Sequence, residues 1–512
     1  GAAPTWADAA GGATITATAD GAISAGDAVV LQSDGTVKSV QETVTEQTPL
    51  SVGFNSNVIT ISPNNIDYGF GGNMHYHEDT NTVFYFWETG GDVYMTSLIY
   101  NNTTDNWSVR QSNVFIGDNH SGNHLSSDYN PNTGHVLISW KDSSGYYRFV
   151  GMYVYKNVNN NLFDYYKTSQ STYGTVRSGG AEQIAIACSF TDNYFRLAWL
   201  DTNSALRVFT ISVTGTSNVS VSHIGYADID TNMGNTEYLS MAWDSNNNKF
   251  GLVVRHGNQS DYGYIYYFST STSTGSILTS QFAQFYNSGY VTYTFVEFNP
   301  EDECFVVMFD YASGAGIKQV DVNANGTLTV VGGSSSVVNI DGFHSQLWRD
   351  MRYDSASRKI VYGRRSLGAS TNMIVGRITT SGSSPTAANT ESDLYTSVNT
   401  GEALGIVSMP NVSKFAGIIE PNSGNIQIKA FQSASTTSNN TDWIGFASEA
   451  IADTASGDIL VVGSTDENQS GLTIGSTYYV QPDGSLATTT TDAIKAGKAI
   501  AATKLLITEG NA

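Results

Sequence analysis

The chain has 512 residues, with 24 Lys and Arg against 46 Asp and Glu, a formal charge of −22 in a sequence only 14 % charged. That balance repels phosphate backbones and anionic lipid surfaces, which makes nucleic acid a poor candidate partner, and no apolar run approaches the length of a membrane span, so no membrane insertion is expected. Glycines number 50, tyrosines 29 and phenylalanines 22, and no long stretch has helical periodicity, so the chain is predicted to be all-β, a large domain with a smaller companion.

In chain order, the first predicted elements are short alternating strands in TITATADGAISAGDAVVLQSDGTVKSV (14–40), joined by a tight turn at Asp34-Gly35. A lone strand, VITIS (58–62), follows without a hairpin partner. Then, between Met74 and Ile419, one phrase is written seven times: an apolar strand ending in an aromatic or Met, a polar turn, and a second apolar strand. The strand-ending residues are Tyr76, Tyr129, Phe190, Trp243, Phe298, Tyr353 and Met409, spaced by 53, 61, 53, 55, 55 and 56 residues. In five copies the second strand begins seven residues after this anchor, at Val83, Val136, Phe250, Phe305 and Ile360. Asn, Asp, Pro, Ser and Gly fill the gap, residues that favour turns through preset φ or side-chain bonds to the backbone. A third strand follows each hairpin, and a fourth is visible in most copies. A four-stranded unit repeated seven times predicts a seven-bladed β-propeller. The last copy lacks a fourth strand, so VITIS is expected to pair with NIQIKAFQ (425–432) and close the ring.

After the repeats comes a segment again rich in Ala, Gly and Thr, with an Asp483-Gly484 turn like that of the N-terminus. The expected organisation is therefore a small discontinuous β-domain, 1–50 with 440–512, into which a propeller of 55–432 is inserted. The opening at Gly1 rather than Met suggests an upstream region. Cys188 and Cys304 fall on the third and fifth units, so a structural disulfide is not expected.

The opening GAAPTWA resembles the Ala-Pro-Thr-Trp junction of bacteriophage tail fibres. GAISAGDAVVLQSDGTVKSV and SGLTIGSTYYVQPDGSLATTTTDAIKAGKAIAATKLLI are similar to terminal modules of fibre and virion structural proteins of tailed phages, notably those of marine cyanobacteria. This resemblance covers about the first 45 and last 70 residues and leaves the propeller to its repeat. It implies a virion appendage assembled in the host cytoplasm and exposed on the particle, often a homotrimer, with no catalytic residues to carry over.

In a propeller, the loops entering the innermost strand and those joining the second strand to the third share one face around the channel. The first set contains Asn73, His75, Asp118, His120, Asn123, His124, Arg177, Asp230, Asn232, Asn235, Glu237, Asn287, Asp341, His344 and Glu402; the second contains Glu88, Asp92, Lys141, Asp142, Asp201, Arg255, His256, Asp310, Arg364 and Arg365. With Trp87, Trp140, Trp199 and Tyr311 nearby, the ring suits sugar hydroxyls and ring stacking. The candidate ligand-binding residues are Arg255, His256, Arg364, Arg365, Trp140, Asp142, Asp201, Asp310 and His124. His120 and His124 have the four-residue spacing of a helical metal site, but Gly122 interrupts any helix, so no metal or other cofactor is expected. Arg255, Arg364 and Arg365 could clamp a carboxylate, although neighbours on a strand point to opposite faces. Asp142 with Asp201 could serve glycoside cleavage at a suitable separation.

Two functions of different class follow. One is a non-enzymatic tail fibre or spike that adheres to a host-surface glycan or receptor, or to another virion protein; a capsid-bound fibre or decoration protein differs from it only in location. The other is a glycan depolymerase or glycosidase, which needs paired carboxylates converging on one pocket.

Overall fold

Tyr76, Tyr129, Trp243, Phe298 and Tyr353 lie directly opposite Val83, Val136, Phe250, Phe305 and Ile360 in antiparallel pairs, which is the register predicted from the repeat. The computed structural model describes residues 5–7, 13–52, 56–59, 73–175, 184–201, 205–234, 237–311, 314–340, 349–365, 372–380, 384–387, 390–395, 404–419, 426–490 and 493–508. Among them there are 42 strands and four short 3-10 turns, and no helix is long and apolar enough to cross a membrane.

Local chemistry builds these hairpins. The residue after the anchor is Asn130, Asp244, Asn299 or Asp354, and its side-chain oxygen accepts the backbone N–H two residues on, at 2.9 to 3.1 Å. Five residues after the anchor the backbone turns left-handed, at Asn81 (φ 49°), Gly134 (73°), Asn248 (50°), Glu303 (49°) and Arg358 (55°). The third copy departs from this frame. Its first strand ends at Cys188, which pairs with Phe195, so Phe190 falls in the turn rather than at a strand end. Ser189 there takes the Asn/Asp role, its Oγ accepting the amides of Thr191 and Asp192.

The chain divides into two units, 46–434 and 1–45 with 435–512. In the larger unit, the described residues form seven sheets of four or five strands, whose first three strands are neighbours in sequence order. Their first strands are Met74–His77, His120–Asn130, Ala185–Cys188, Glu237–Asp244, Val291–Asn299, Arg349–Asp354 and Leu404–Met409, which follow one another in ring order. This is a β-propeller-like, all-β architecture. Consecutive sheets interlock through apolar side chains from both faces: Phe84, Phe86 and Met95 of the first sheet meet Val136, Ile138 and Val150 of the second. Met74 and Tyr85 meet Ile418 and Ile428 of the seventh sheet across the closure.

Closure uses more chain than VITIS. Val58 and Ile59 do pair with Gln427 and Ile426, and 60–62 lie outside the described residues. The strand Glu42–Ser51 also joins the seventh sheet, where it occupies the place of the missing fourth strand. The expected boundary at 50 therefore moves to 45. Buried Arg377 of the sixth sheet holds this strand, reaching Glu46 at 2.7 Å and the Ser433 carbonyl at 2.7 Å.

The described residues of the smaller unit form two sheets. One interleaves both chain ends in the order Thr5–Ala7, Thr14–Thr18, Ser456–Leu460, Trp443–Ala447, Ala28–Leu31, Val37–Ser39. The other contains Thr465–Asp466, Lys504–Ile507, Ile494–Ala501, Thr477–Val480 and Leu486–Ala487. Trp443, Phe446, Val480 and Leu505 fill the core.

Candidate functional site

Most of the predicted ligand-binding residues lie at the ends of the second strands, and the structure engages them with their own surroundings. Asp142 is buried: its Oδ1 accepts the amides of Ser144 and Tyr146, and its Oδ2 accepts Arg148 Nε at 2.7 Å. Asp201 repeats the arrangement with the Ala205 amide at 2.8 Å and Arg207 at 2.9 Å. Arg255 donates to Asp261 at 3.0 Å, and Arg364 is forked on Glu391 at 2.9 Å through both Nε and Nη2. Two of the three arginines of the proposed clamp are thus bound to separate carboxylates on separate sheets. Arg365 follows Arg364 on the same strand, pairing with Met373; its side chain, like that of His124, lies outside the described residues. His256 is buried beside Asp230 at 3.5 Å, and buried Asp310 pairs with Ala315 across its hairpin.

Trp140 does not face solvent. Its side chain is fully buried, Nε1 donates to the Asp118 carbonyl at 3.1 Å, and the ring fills the space left by Gly117, where a Cβ would come within 2.5 Å of it. Trp87 and Trp199 are buried too, the latter stacked on Phe209 at 3.7 Å. Arg177, Asn235, Asp341, His344 and Glu402 lie outside the described residues, as do the side chains of Asn123 and Glu237.

The concentration of charge lies in the central channel, which the loop reading missed. A cavity of about 300 Å³ is lined by first-strand residues of six sheets, among them His75, Asp128, Glu297, Asp350 and Arg352. Four of these five occupy one place in the repeat: His75, Asp128, Glu297 and Arg352 each precede the anchor. Polar residues directly before the anchor were the signal that could have found them.

Inner-strand edges explain part of the cluster. The amides facing the neighbouring sheet need acceptors, and side chains supply them: Cys188 N donates to Asp128 at 2.7 Å, Ile406 N to Asp350 at 3.0 Å and Val296 N to Ser240 at 3.1 Å. Arg352 Nη1 lies 2.9 Å from Asp350 and 4.0 Å from Glu297, and it also donates to the Met351 carbonyl at 2.8 Å. His75 Nε2 is 2.8 Å from Ser127 Oγ.

The electrostatics follow from burial. Glu297 is pushed up to about 8 by burial, with Asp350 and Asp128 adding to it against Arg352. Burial likewise pushes Asp128 up to about 6, despite its two amide donors, and holds His75 well below the ordinary range. Glu297, pushed toward its protonated, hydrogen-bond-donating form, stands beside an Arg352–Asp350 pair, so the channel offers donors and acceptors to a polar guest. Among the described residues no cluster of His, Cys, Asp and Glu is arranged to hold a metal ion.

No protein-family model matches the chain, and no curated protein matches it. Among solved structures, the chain is similar to a protein from Lactobacillus plantarum at 10 % identity and a TM-score of 0.44, covering 64 % of this chain and 85 % of that one. It is similar also to AofleA from Arthrobotrys oligospora at 10 % identity and a TM-score of 0.40, covering 70 % and 93 %. Similarity of this degree assigns no function.

Proposed function

We propose that the protein is a virion appendage of a tailed bacteriophage, a tail fibre or spike whose propeller-like unit adheres to a host-surface glycan or receptor without cleaving it. The resemblance of the terminal segments supplies the virion context. The observation that favours adhesion over catalysis is the engagement of the rim acids: Asp142 and Asp201 are each held by loop amides and an arginine of their own sheet. A general acid and base must instead face a common substrate. Several copies on one particle would make weak single sites sufficient, because linked sites raise effective concentration without new contacts.

The test has two parts. Imaging of labelled particles is expected to place the chain on the virion. The purified chain is expected to block particle adsorption while leaving host envelope polysaccharide at its original length; release of reducing ends would overturn the reading. A glycan-cleaving enzyme is the second reading, favoured by Glu297 as a carboxyl pushed up to about 8 by burial inside a cavity. It requires that Glu297→Gln abolish such release.

A further inference from the structure

We propose that the tyrosine face at the outer end of the second sheet is a binding platform for uncharged glycan chains; this rests on the adhesion reading and gives it a site. Tyr153 and Tyr155 alternate along the strand Tyr146–Asn157, so both point to one side. On the neighbouring strand Tyr166 lies opposite Tyr153 and Asp164 opposite Tyr155, which makes a two-by-two patch of three phenols and a carboxylate.

The rings share one orientation. Tyr153 and Tyr155 are 5.5 Å apart at 11°, and Tyr155 and Tyr166 are 5.3 Å apart at 6°. The core does not require them, because the opposite face of the same strands, with Met152, Val154 and Phe163, already packs against the first sheet. Nearer the channel, the tyrosine face is covered by the third sheet, where a Cβ on Gly151 would strike Val221. The patch begins where that cover ends, beyond His135, whose Nε2 lies 3.0 Å from the Gly215 carbonyl. Tyr166 is 42 % exposed there.

Asp164 is pre-positioned. One oxygen accepts the Tyr165 amide at 2.9 Å and the other accepts Asn157 Nδ2 at 3.0 Å. An ionised carboxylate has about four acceptor sites, so each oxygen keeps a lone pair for a further donor. A fixed carboxylate beside aromatic faces matches a pyranose, whose C–H face covers a ring while neighbouring hydroxyls donate to the carboxylate. Charge selects among glycans: Asp164 and the net −22 repel uronic, sialic or sulfated chains.

The full chain should be applied to an array of neutral and anionic oligosaccharides, then titrated with the best neutral binder. Binding to a neutral glycan is expected, weakened at least tenfold by Tyr166→Ala and by Asp164→Asn, with the thermal midpoint of each variant confirming the fold. Arg255→Ala should leave it unchanged. Neutral-glycan binding that survives both platform changes and falls with Arg255→Ala overturns the platform while leaving the adhesion reading intact. Selective binding of anionic glycans overturns it as well. Absence of any glycan binding removes the platform, and if Tyr166→Ala then alters sedimentation, the face is a contact between copies of the chain.

Discussion

Carboxylates beside arginines occur both at the outer loops and in the channel of the larger unit, and the two regions use them over different ranges. Asp142 and Asp201 accept amides two to four residues on and pair with arginines six residues on. Asp128 and Asp350 accept amides 60 and 56 residues away, on the next sheet, and Arg352 reaches back to Glu297 of the preceding one. Outer acids therefore shape turns, whereas channel acids join sheets. The same chemistry stays local in one place and also reaches across sheets in the other, where Asp128 and Asp350 accept the next residue's amide as well.

That contrast can be broken most directly at Asp350. Asp350→Ala leaves the Ile406 amide and the Arg352 guanidinium without this partner in the channel wall, and a loss of about 3 kcal/mol in urea unfolding is expected. Asp142→Ala, which removes a loop staple and one ion pair to a partly exposed arginine, should cost about 1–2 kcal/mol. Equal losses would mean that the channel acids do no more than the loop acids.

A pH titration sharpens the same difference. Glu297 titrates near 8 when folded against an ordinary value of 4.5, and Asp128 near 6 against 3.8, so each binds its proton more tightly in the folded chain. The unfolded chain loses these protons first as pH rises. Their contribution is full below about pH 4, and it is lost progressively up to about pH 8. Glu297→Gln should flatten this decline by about 1–2 kcal/mol between pH 5 and 8, after allowance for the side chain's contact with channel water. An unchanged slope would show that Glu297 is not held protonated.

The smallest expected effect is a control that touches neither region. Glu303 sits in the left-handed backbone of its hairpin (φ 49°), where an L-residue costs about 1–2 kcal/mol and glycine costs less. Glu303→Gly should therefore raise stability by about 0.5 kcal/mol in thermal unfolding, with no change in pH dependence.

The hairpins were legible because their signals are local. A period of two, an Asn or Asp after the anchor and a fixed turn length set Tyr129 opposite Val136 without reference to the rest of the chain. Phe190 misled for the same reason: Ser189 starts a shorter turn, so the aromatic no longer ends the strand. Trp140 misled differently. Its position beside a polar loop looks exposed, but Gly117, 23 residues earlier, leaves a hole that the indole fills.

What the sequence determined by itself is the all-β class, the repeat and the register of most hairpins, since alternation and turn chemistry act within a dozen residues. Which polar residues meet was decided by tertiary structure. Asp128, Glu297 and Arg352 are separated by 169 and 55 positions, and although each directly precedes its anchor, nothing local shows that these three positions meet. The channel brings them to one cavity, and burial there pushes an ordinary carboxyl up to about 8.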